Sequence, residues 1–187
     1  ISAPPPKAAA ADPDARLPVP ASSTVDGARD LVRQAYEDKF AAAARGEAGD
    51  LIDVLVTAAE KSDVPERKFA MLLEAENAAA NAGDMKRAVG LIEARARVFR
   101  IDALSEANAM LERVLEATRR TNPVRLRGVL EQGMTTASLA VQAGRLEDAL
   151  AATKLAAESR ATEAAPTSAA TLPLLGEDGC GETEDEC

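Results

Sequence analysis

Ten prolines punctuate the 187-residue chain, and eight of them lie outside residues 25–161. Proline fixes φ and offers no backbone N–H, so a helix interior excludes it. The two internal ones, Pro65 in SDVPE and Pro123 in TNP, follow residues that cap helices. At the first helical position a missing N–H costs nothing, so both mark helix starts. The flanks have the opposite character. ISAPPPKAAAADPDARLPVPASS (1–23) suits extended, polyproline-like backbone, and 162–187 is its C-terminal counterpart. The distribution predicts a helical body, residues 25–161, between extended arms, residues 1–24 and 162–187.

Hydrophobic periodicity within the body predicts seven helices. The first, about 26–45, aligns Ala28, Leu31, Val32, Ala35, Tyr36, Phe40 and Ala43. The second, about 48–62, is the most apolar and is expected to be the most buried. The third runs from Pro65 to Ala82 through Phe69, Leu72, Leu73, Glu76 and Ala80, with Asp63 as its expected cap. Asp84 and Asp102 cap the fourth and fifth, and Asn122 with Pro123 opens the sixth. The sixth presents Leu126, Val129, Leu130, Ala137, Ala140 and Val141; the seventh presents Leu146, Ala149, Leu150, Thr153, Ala156 and Ala157. Alanine supplies 42 residues and aromatics only Phe40, Phe69, Phe99 and Tyr36. Such a core suits closely packed helices and starves a sheet. The fold class is therefore all-α, about seven antiparallel helices in stacked hairpins.

Two stretches repeat: LLEAENAAANAGDMKRAVGLIEARA (72–96) and GMTTASLAVQAGRLEDALAATKLAA (133–157). Superposition sets Gly83 on Gly144 and Ala88 on Ala149. Glycine permits the left-handed turn that ends one helix, and small alanines let the next approach closely. AAAARGEAGDLIDVL (41–55) reads as a degraded third copy. Gly83, Asp84, Ala88 and Ile92 in one copy, and Gly144, Ala149 and Thr153 in the other, resemble the second half of a tetratricopeptide-type repeat. The first-helix aromatics of that repeat are missing, and a helix intervenes between the copies. The resemblance implies an α-solenoid scaffold for protein–protein contact.

Catalytic and metal chemistry find little support. There is no histidine, the commonest general base and metal ligand. No phosphate-binding glycine loop, CxxC pair or glycosylation sequon occurs, and no cofactor is expected. Adjacent carboxylates such as Glu74 with Glu76, and Glu147 with Asp148, do not face one another on a helix and are expected in solvent. Glu76 also falls on an apolar stripe, where a structural ion pair is expected.

The net charge of −9 disfavours nucleic acid and anionic membranes, and no apolar run is long enough to span a bilayer. Charge is unevenly spread: residues 1–84 carry −6, residues 85–127 carry +5 and residues 128–187 carry −8. The basic middle holds Arg95, Arg97, Arg100, Arg113, Arg119, Arg120, Arg125 and Arg127. Two readings stand: a helix face balanced by neighbouring glutamates, or a docking surface for an acidic segment of its own chain or a neighbour's. Both cysteines, Cys180 and Cys187, sit in the acidic tail GEDGCGETEDEC. A local disulfide clip, intermolecular disulfides, or a loose Ca²⁺ site built from Glu177, Asp178, Glu182, Glu184, Asp185 and Glu186 are its three readings. With Ile1 at the start, the clip predicts an exported chain processed at its N-terminus. The expected function is non-enzymatic: a structural subunit that self-assembles into a filament or ring as a homo-oligomer, or else an adaptor that binds a protein partner.

Overall fold

A computed structural model describes residues 15–118 and 123–164. Among the described residues there are eight helices and no strand: α1 (Ser22–Ala35), α2 (Glu37–Ala44), α3 (Ala48–Lys61), α4 (Pro65–Ala82), α5 (Met85–Val98), α6 (Ala103–Thr118), α7 (Pro123–Gln142) and α8 (Leu146–Ala164). The all-α expectation holds, with one helix more than the periodicity predicts. The extra helix arises at Tyr36, where φ −121° and ψ 27° interrupt the first predicted helix. That break turns the chain from α4, against which α1 packs, to α3, against which α2 packs.

Local chemistry explains most ends. Asp84 accepts the Arg87 N–H at 3.0 Å, and Asp102 accepts those of Leu104 and Ser105. Asp63 does not cap α4: Val64 occupies the cap position, and its N–H donates to the Ser62 hydroxyl. Gly46, Gly83 and Gly144 take φ of +106°, +88° and +71°, one between each of the pairs α2–α3, α4–α5 and α7–α8. Left-handed backbone at these three turns is what glycine supplies most cheaply. Ala88 and Ala149 are buried beyond the second and third turns.

The core lies along α4 rather than α3. Helices α1, α3, α5 and α6 all pack on α4, so residues on nearly every side of it are buried, Glu74 and Glu76 included. The expectation that the more apolar second predicted helix is the most buried fails because position in the stack outranks hydropathy. A smaller cluster of Val25, Phe69 and Phe99 caps one end, with the two rings edge-to-face at 5.0 Å.

The last hairpin packs on a different row from the predicted one. In α8 the buried residues are Ala149, Ala152, Leu155, Ala156 and Ser159, while Leu146 and Leu150 face solvent. Gly133 of α7 explains the choice: a β-carbon there would stand 3.2 Å from the Ala152 carbonyl oxygen and 3.3 Å from the Ala156 β-carbon. Helices this close need small residues at the crossing, so the alanine row wins over the leucine row.

The N-terminal arm is not wholly extended outside the body. Helix α1 begins at Ser22, and Leu17 forms a parallel bridge with Phe99. The Leu17 N–H donates to the Val98 carbonyl and the Arg100 N–H to the Leu17 carbonyl, each at 2.8 Å. The described end of the arm, around Leu17, is thus held by its own chain.

Candidate functional site

The six described arginines of the basic segment do not form one surface. Arg95 is 1% exposed, its guanidinium 4.9 Å above the Phe69 ring, 3.0 Å from Glu76 and 2.8 Å from Glu106. Arg97 pairs with Glu93 and Arg127 with Glu131, both along one helix. Arg100 donates to the Arg16 carbonyl and Arg125 to that of Asn81. Arg113 reaches Glu76 at 3.6 Å. Arg119 and Arg120 lie outside the described residues. Helical geometry scatters the set: neighbours in sequence point to different sides of a helix, and α5, α6 and α7 present different faces.

Glu74 and Glu76, expected in solvent as a pair, are both buried, 2% and 1% exposed. Two residues apart on α4, they face opposite partners. Glu74 turns to α1, where Arg29 donates at 2.6 Å and Arg33 at 3.2 Å. Glu76 turns to α5 and α6, where Arg95 and Arg113 approach without a well-aligned hydrogen bond to either oxygen. Burial pushes the Glu76 carboxyl up to about 7, and the two guanidiniums offset only part of that rise. A carboxyl titrating near neutrality suits a general acid or base. Sealed from solvent, this one has no room for a substrate, so its role is structural.

The accessible feature is a groove of about 940 Å³ between α1, α2, α3 and α4, closed at one side by α6 and α7. Arg29, Arg33, Arg113 and Arg125 line it against only Glu37 and Glu74. Its floor is apolar and small, with Phe40, Ala43, Leu51 and Ala78. Two of the four arginines, Arg113 and Arg125, belong to the basic segment picked out in the sequence. The other two come from α1, and no sequence pattern links them to the first pair. Their meeting depends on α1 crossing α4, a tertiary fact.

Glu147 is exposed, and Asp148 is half-buried against Arg145. Arg145 also bonds Asp102 at 2.6 Å and holds its carboxyl below the usual range. Among the described residues no three His, Cys, Asp or Glu gather as a metal site, and no helix is long and apolar enough to cross a membrane. The cysteines Cys180 and Cys187 and the acidic residues around them lie outside the described residues. Compared with known proteins, the chain matches no family model, no curated protein and no solved structure.

Proposed function

We propose that the chain is a non-enzymatic, exported scaffold that binds an acidic protein segment in the groove between α1, α2, α3 and α4. One observation carries this reading. Four guanidiniums from three separated parts of the chain converge on a single open groove, with two carboxylates among them. Guanidinium offers a planar, bidentate match to carboxylate, and a groove focuses its field on a linear ligand. The volume suits a short run of side chains rather than a flat protein face.

A second reading is self-assembly, favoured by what each copy carries. Residues 162–187 hold seven acidic groups and no basic one, so the tail of one copy has the right charge for the groove of the next. Head-to-tail contacts of this kind give rings or filaments.

Fluorescence anisotropy with a labelled glutamate-rich dodecapeptide tests the groove. Binding is expected at 50 mM salt, weakening at least tenfold by 200 mM as the charges are screened. Arg33→Gln with Arg125→Gln should weaken it at least fivefold and keep the fold, since Glu74 retains Arg29. Arg97→Gln with Arg127→Gln should leave it unchanged. No peptide binding, or equal losses in the two pairs, rejects the groove. Light scattering at low salt that grows with protein concentration would favour the second reading.

A further inference from the structure

The outer side of the last hairpin is apolar. Leu146 and Leu150 are 71% and 72% exposed and stand one turn apart on α8. Met134 and Val141, also exposed, stand two turns apart on α7. Both rows point away from the stack. On α8 the side toward α6 carries Asp148, whose carbonyl accepts from Asn108, and Leu155, which lines the α6–α8 cleft with it. Leu146 and Leu150 sit on the far side of the helical wheel. On α7, Arg125 and Gly128 face the α4–α5 turn, and Met134 and Val141 lie opposite them. A terminal hairpin of a helical stack ordinarily shows a polar outer face.

We propose that this face is the seat of the chain's own segment Leu172–Leu175, folded back along α8. Two features of the chain select that occupant. First, Leu172, Leu174 and Leu175 are the only large apolar side chains in residues 165–187. Second, the length fits. Leu150 lies fourteen residues before Ala164, the end of α8, or about 21 Å at helical rise. Leu172 follows Ala164 by eight residues and can reach about 26 Å when extended. A second copy could cover the same leucines, but a tethered segment acts at millimolar effective concentration.

The inference is independent of the groove, and its test reads a different face. In a chain carrying Cys180→Ser and Cys187→Ser, Leu150→Cys is combined with Leu174→Cys or, as a control for random contact, with Thr183→Cys. Leu150 is 72% exposed, so the substitution should spare the fold. After mild oxidation of the full chain at low micromolar concentration, non-reducing electrophoresis and mass spectrometry identify the products. Leu150→Cys with Leu174→Cys should give an intrachain disulfide at least ten times faster than the control. A disulfide between chains, equal rates in the two variants, or no disulfide overturns the proposal. The intrachain product would also remove the self-assembly reading in which the tail reaches a neighbour.

Discussion

At the scale of single residues, the buried charges decide the chemistry. Glu76 holds its proton more tightly in the folded chain than in the unfolded one. Its contribution to stability therefore declines as pH rises from 4.5 toward about 7, where it must ionise inside the core. Arg95 limits that decline. Leucine in its place leaves Glu76 with Arg113 alone, so Arg95→Leu should cost about 3–5 kcal/mol at pH 8. At pH 5 Glu76 takes up a proton, and the loss should be clearly smaller. Urea unfolding at the two pH values measures the difference; equal losses would mean the pair is not coupled. The sequence revealed Glu76, because a carboxylate on an apolar stripe stands out. It hid Glu74 and Arg95, because their burial depends on α1 and α6 closing over α4, and neither event leaves a mark on the local pattern.

Among the elements, the small residues set the geometry. The glycine turns at Gly83 and Gly144 and the alanines that follow were legible as a repeat, since a turn and a close crossing each demand a residue type. The face of α8 was not legible. Its apolar residues lie on both sides, and only the approach of Gly133 selects between them. Gly133→Val should cost about 1–3 kcal/mol by forcing α7 away from Ala152 and Ala156, which thermal unfolding would show as a lowered midpoint. The same substitution at Gly49, whose β-carbon position meets no atom within 4 Å, should not clash, and since valine is a slightly better helix former than glycine it should not lower the midpoint.

For the whole molecule, the stack closes on itself at the Leu17–Phe99 bridge. Arg16 adds a bond to the Ala96 carbonyl, and Arg100 adds one to Arg16. Removing residues 1–20 deletes all of these contacts. The two backbone bonds, at about 1 kcal/mol each, suggest a loss of roughly 2 kcal/mol, measurable by chemical unfolding with circular dichroism. An unchanged midpoint would show that the bridge adds no stability. The sequence assigned this stretch to an arm because prolines surround it; an isolated bridge of one residue pair has no periodicity to read.

The bridge also sets an order of events. Leu17 finds its backbone partners at Val98 and Arg100, so residues 15–20 have no resting place until five helices have been made. At about 5–20 residues per second, a ribosome takes roughly 4–16 s to supply the eighty or so residues between them. Helix α1 can settle on α4 once Ala82 has been made, yet the stretch before α1 stays available to proteases and chaperones until Arg100 follows. A nascent chain stalled before Arg100 would keep the stretch around Leu17 exposed.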